Sequence, residues 1–145
     1  MANVNTDIVT NFVATPQVKN DSQQLHGVKR IAQGTIALAA GDLSATDTVM
    51  LAPIPTNASI SSIKLFNDDL DSGSTNTTDV GLYTTAIAAV DDDAYASAIT
   101  KLRGAVTVGT EVAFEARNIN KCGQKVWQDA GQSSDPGGYY YVGLL

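Results

Sequence analysis

With 145 residues, 43% of them apolar and 17% charged, the chain has the length of one ordinary domain and enough apolar material to bury a core. A net charge of −6 repels phosphate backbones and excludes nucleic acid as the expected partner. One cysteine forbids an intrachain disulfide, one histidine and one cysteine cannot build a zinc centre, and no apolar run approaches the ~18 residues of a membrane span.

The charge is uneven. Residues 1–41 carry Lys19, Lys29 and Arg30 against Asp7 and Asp21, a net of +1, so the remainder carries −7. The opening Met1-Ala-Asn-Val-Asn-Thr-Asp lacks the basic-then-apolar pattern of a secretory leader, so synthesis in the cytosol without export by such a signal is expected. Residues 1–30 are polar, and neither period 3.6 nor period 2 persists in them. Two readings stand open for this segment. One is a partly disordered tail; the other is an extended arm that orders on a neighbouring subunit through Ile8, Phe12 and Val13.

From residue 31 the pattern predicts a domain running to 145. Thr35 to Ala39 alternates large and small side chains and reads as a strand. Val49-Met50-Leu51 is a short apolar run ended by Pro53 and Pro55, which cannot donate to a central ladder. Ile60 to Phe66 reads as a strand with Ile63 and Leu65 on one face and Ser62 and Lys64 on the other. The run from Asn67 to Gly73 is dense in turn formers, and Asp79 to Thr85 resumes a strand with Val80 and Leu82 on one face. One short helix is predicted after Asp91, with three aspartates at its start and Ala94, Ala98 and Leu102 at helical spacing, ended by Gly104. Val112, Phe114 and Ala116 alternate with charged neighbours as a strand, and Lys125 to Gln128 reads as another carrying the single tryptophan. After the turn Asp135-Pro136-Gly137-Gly138, Tyr139 to Leu145 forms a closing strand. Seven or eight strands without a βαβ rhythm predict an all-β, antiparallel sandwich.

Catalytic motifs are absent: no nucleophile elbow, no paired metal histidines and no phosphate-binding glycine loop occurs, so no enzyme and no cofactor are expected. Glu111 and Glu115 fall on the polar face of a strand, the ordinary place for charge. Cys122 reads as a small buried hydrophobe. The best metal candidate is the acidic loop, where Asn67, Asp69 and Asp71 offer oxygens at alternate positions. Gly73 comes one position late and Thr78 stands where a bidentate glutamate is required, so turn chemistry explains the loop without a metal. Tyr139, Tyr140 and Tyr141 put aromatics on both faces of one strand, one for the core and one for a neighbour or the arm, with a sugar platform as the rival reading.

The stretch from Leu51-Ala52-Pro53-Ile54-Pro55 through Lys64-Leu65-Phe66-Asn67-Asp68-Asp69 to Asp79-Val80-Gly81-Leu82-Tyr83, with Trp127-Gln128-Asp129-Ala130-Gly131 and the tyrosine-rich end, resembles head decoration (cement) proteins of tailed bacteriophages. The resemblance spans roughly residues 30–145. It implies a jelly-roll-like sandwich, a homotrimer, the major capsid protein as partner and a place on the capsid exterior. It carries over no fixed binding residues. The alternative from another class is a carbohydrate- or receptor-binding module of a phage tail or of an enzyme.

Overall fold

The computed structural model describes residues 5–20, 27–39, 47–70 and 75–145. The fold is mainly β. Among the described residues the strands are β1 (Val49–Pro55), β2 (Lys64–Asn67), β3 (Thr78–Tyr83), β4 (Ala89–Ile99), β5 (Val106–Glu111) and β6 (Tyr139–Leu144). Two short helices, α1 (Asp7–Val13) and α2 (Val126–Asp129), and a 3-10 turn at Ile119–Lys121 complete them. The strands form an antiparallel four-stranded sheet in the order β1-β6-β3-β4 and an antiparallel pair β2-β5. The chain divides into two compact units, Met1–Ile31 and Ala32–Leu145.

In the first unit residues 7–13 are helical rather than extended. The Thr10 N–H and hydroxyl both reach the Thr6 carbonyl, and Pro16 lies just beyond the helix end at Ala14. The chain then returns: Val18 N–H donates to the Asn11 carbonyl, and the Asn20 amide donates to the Ile8 carbonyl. A helix of seven residues is two turns long, too short for its period to stand out in sequence.

In the second unit the C-terminal strand β6 is central, inserted between β1 and β3. Its alternation is regular. Tyr140, Val142 and Leu144 pack on the core with Val80, Leu82, Ile54 and Ile60, while Tyr139, Tyr141 and Gly143 take the other face. β1 continues through Pro53 and Pro55, which pair with Tyr141 and Tyr139. It can do so because it is an edge strand, where the missing N–H groups face away from the sheet. Prolines that seemed to end the strand instead protect its outer edge from pairing.

Several sequence expectations need correction. The predicted helix after Asp91 is the long strand β4. Its buried residues are Tyr95, Ala96 and Ile99, at a spacing a helix would also give, but the backbone is extended and Ala98 takes φ +50, outside the helical region. The buried Val80 and Leu82 of β3 need a pairing partner, and that demand overrides the weak helical preference of three aspartates. Conversely, the strand predicted at Lys125 to Gln128 is α2. Val126 and Ala130 are buried four residues apart, and Gln128 Oε1 accepts the Lys125 N–H. The first two helical N–H groups donate to the Ala58 and Thr56 carbonyls. β5 ends at Glu111, so Val112 to Ala116 is not a strand; Val112 and Ala113 are buried consecutively instead of alternating. Residues 35–39 take no regular structure, and Cys122 is exposed beside the 3-10 turn.

The β3–β4 turn holds Ile87 at φ +63, where a β-branched side chain is strained. Ile87 N–H donates to the Thr84 carbonyl and the side chain is more than half exposed, so little burial offsets the strain. Ile87→Asn, which tolerates this conformation, is expected to stabilise the protein by about 1 kcal/mol in urea unfolding. A loss of stability would show that the isoleucine side chain makes a compensating contact.

Candidate functional site

The densest polar chemistry lies inside the second unit. Arg117, one of the charged residues next to the predicted 112–116 strand, is buried with Asp129 in an ion pair of 2.6 Å. The second guanidinium nitrogen donates to the Ile60 carbonyl at 2.6 Å, and the plane lies 4.4 Å from the Phe114 ring centroid and 5.1 Å from that of Tyr95. The Tyr95 hydroxyl donates to the same Asp129 oxygen at 3.2 Å. Burial pushes the Asp129 carboxyl above its ordinary range despite the pull of Arg117, and pushes the Tyr95 phenol up. The cluster joins α2 and the 112–117 turns to β4.

Glu111 is a clasp. Its carboxylate accepts the Ser62 hydroxyl and the N–H groups of Ile63 and Ala113. Burial pushes this carboxyl up, but those three donors and Lys64 outweigh it and leave it below its ordinary range. A carboxyl depressed in the folded state supplies stability above its unfolded pKa that is lost as pH falls through the folded value. Glu111→Gln is therefore expected to lower the melting temperature at pH 7, with the deficit shrinking below about pH 4. A deficit independent of pH would assign the loss to packing instead. Glu115 pairs with Lys101 at the surface.

The acidic loop is only partly described, because Asp71 lies outside the described residues. The Asn67 amide nitrogen donates to the Leu102 and Gly104 carbonyls at 2.9 and 3.0 Å, which ties the loop to the segment after β4. Asp68 and Asp69 are exposed. Asn67 thus has a structural task of its own.

The aromatic and apolar candidates distribute over three places. On α1, Ile8 is half-buried while Phe12 and Val13 are exposed. On β6, Tyr140 faces the core, Tyr141 is half-buried opposite Tyr83 and Pro53, and Tyr139 is exposed. Tyr139 lines an open cavity of about 280 Å³ with Pro55, Asn57 and Asp135. There the Thr56 hydroxyl donates to Asp135 at 2.6 Å and the Gly137 N–H at 2.9 Å, and these two bonds hold the carboxyl below its ordinary range. The sequence reading missed the third place, the β2–β5 ribbon. Phe66 is 64% exposed with its ring on Gly109, and Val108 is 88% exposed. The signal was an aromatic residue on the polar face of a strand, beside Lys64.

Residues 27–39 are all exposed and take no regular structure, with Val28 and Ile31 each 90% exposed around Lys29 and Arg30. No helix of the described residues is long and apolar enough to cross a membrane. Comparisons of the chain with protein-family models, curated proteins and solved structures find no match.

Proposed function

We propose that this chain is a capsid decoration (cement) subunit: a non-enzymatic homotrimer, made in the host cytoplasm, that binds the major capsid protein on the outside of a phage head. Its sheets are read as the two layers of a jelly-roll-like sandwich. Supporting this is the resemblance of residues 30–145 to such proteins and, above all, one observation. Apolar side chains stand in solvent along residues 28–38 of a basic segment, while the rest of the chain is acidic. Isolated exposed apolar residues are ordinary; a run of Val28, Ile31, Ile36 and Leu38 without secondary structure is a segment suited to lie on another surface. A cement protein acts through area and multivalency, which needs several such contacts and no reaction centre. Ordering the segment costs about 1–2 kcal/mol per residue, so the contacts must form together.

The test is co-sedimentation with capsids lacking the protein. Full-length chain is expected to pellet with them. A chain without residues 2–38 is expected to keep the β signature of its circular dichroism spectrum, losing only the contribution of α1, and to bind far more weakly. Equal binding by both would refute the segment's part in attachment.

One observation favours a carbohydrate- or receptor-binding module as a second reading: the exposed Tyr139 ring beside the oriented Asp135 and Asn57. Glycan-array binding that disappears in Tyr139→Ala, without capsid binding, would establish that reading in place of the first.

A further inference from the structure

We propose that the acidic bulge of β4, formed by Asp91, Asp92 and Asp93, binds a divalent cation of the calcium class, with the Tyr83 hydroxyl as a neutral oxygen beside it. This inference is independent of whether the chain decorates a capsid.

Successive side chains of a regular strand point to opposite faces, so three consecutive carboxylates do not meet. Here they do, with one oxygen from each lying within 4.8 Å of the others. The cause is a slip in the ladder. Val80 pairs with Ala96 while Leu82 pairs with Asp91, so β4 carries surplus residues between the two pairs. The surplus arches over Gly81, where a Cβ atom would lie 2.2 Å from the Asp91 carbonyl oxygen. Asp91 and Asp92 are half-buried there, and burial, a hydrogen bond with the Asp93 side chain and the charges of Asp93 and Asp92 push the Asp91 carboxyl up. Among the described residues the ion pairs are Lys101 with Glu115 and Arg117 with Asp129, so neither serves the bulge.

Acidic clusters are common without an ion, and a second observation decides this one. Tyr83 is 2% exposed, and its hydroxyl is buried without a hydrogen-bond partner. The ring lies against Gly143, the residue paired with Gly81, so it occupies the sheet face that the bulge crosses. Burial pushes the Tyr83 phenol up, and the charges of Asp92 and Asp79 push it further in the same direction. A buried hydroxyl without a hydrogen-bond partner, on the face where three carboxylates converge, is an oxygen placed to complete a cation's coordination shell. The donors are all oxygen and irregularly placed, which suits calcium better than octahedral magnesium or the nitrogen- and sulfur-seeking metals.

The experiment uses the full chain, stripped with chelator, in two readouts. The first is terbium luminescence excited through tyrosine. The second is the melting temperature with and without calcium at about 100-fold over the measured Kd, where a rise of at least about 5 °C is expected. Asp93→Asn is expected to abolish both responses while leaving the cation-free melting temperature equal or higher, since one of three repelling charges is gone. Tyr83→Phe, which removes only the hydroxyl, is expected to weaken binding about tenfold. The loop variant Asp68→Asn/Asp69→Asn should respond like the parent. No luminescence and no calcium shift in the parent would overturn the site. So would a response retained in Asp93→Asn but lost in the loop variant. Undiminished affinity in Tyr83→Phe would remove the hydroxyl from it.

Discussion

Arg117→Ala is expected to cost about 3–5 kcal/mol, among the largest losses available in this fold. The guanidinium is 2% exposed and Asp129 1%, so its removal strands a buried carboxylate with only the Tyr95 hydroxyl for company. The Ile60 carbonyl loses its donor, and the Phe114 and Tyr95 rings lose the cation between them. Lysine does not repair this, because a single ammonium cannot reach Asp129 and the Ile60 carbonyl in the same planar fork. Removing both charges in Arg117→Ala/Asp129→Ala should cost clearly less than the sum of the single changes, since neither ion is then left alone. Lys101→Ala is the contrast: its pair with Glu115 is half-exposed, and a loss below about 1 kcal/mol is expected. Urea unfolding of the four variants measures the set. Additive losses at Arg117 and Asp129 would show that the pair is not coupled.

Gly81→Ala is expected to cost about 3 kcal/mol or more, although it adds a single methyl group. The obstacle is backbone: the added carbon meets the Asp91 carbonyl oxygen at 2.2 Å and the Asp92 carbonyl carbon at the same distance. Main chain held in a ladder cannot rotate away, so β4 must leave β3 over the bulge. For Gly143→Ala, on the neighbouring strand β6, the nearest atoms are the Tyr83 ring at 2.8 Å and the end of Met50 at 3.0 Å, and side chains can give. The expected order of stability is parent, then Gly143→Ala, then Gly81→Ala. Gly123→Ala, which meets nothing, should stay near the parent. Gly81→Ala should also abolish the calcium response, because the bulge that gathers the carboxylates cannot keep its place.

What was legible in the sequence is the pair of strands rich in β-branched and aromatic residues between turn formers. Tyr139 to Leu144 and Thr78 to Tyr83 are strands, and they lie side by side at the centre of the larger sheet, whereas the alternation of Val112, Phe114 and Ala116 is not a strand. The errors cluster where local pattern and tertiary demand disagree. Asp91 to Ile99 carries apolar residues at helical spacing, yet β3 needs a partner and the bulge shifts which residues turn inward. Val126 and Ala130 sit at helical spacing in a segment whose tryptophan and valine favour strands, and there the short helix prevails because its N–H groups find the Ala58 and Thr56 carbonyls. The Arg117–Asp129 pair was illegible because its partners are twelve residues apart and meet only through the turns between them. The cation cluster was hidden by its own explanation: three aspartates suit a helix start so well that their meeting on a bulged strand had no signature.

Cryo-electron microscopy of purified particles carrying this chain tests the proposed function most directly. The expected result is density for the β body on the outer face of the capsid lattice, in threefold clusters, with an ordered segment from residues 1–38 running onto a neighbouring subunit. Density confined to the tail, or particles whose shell lacks the chain altogether, would contradict the decoration role.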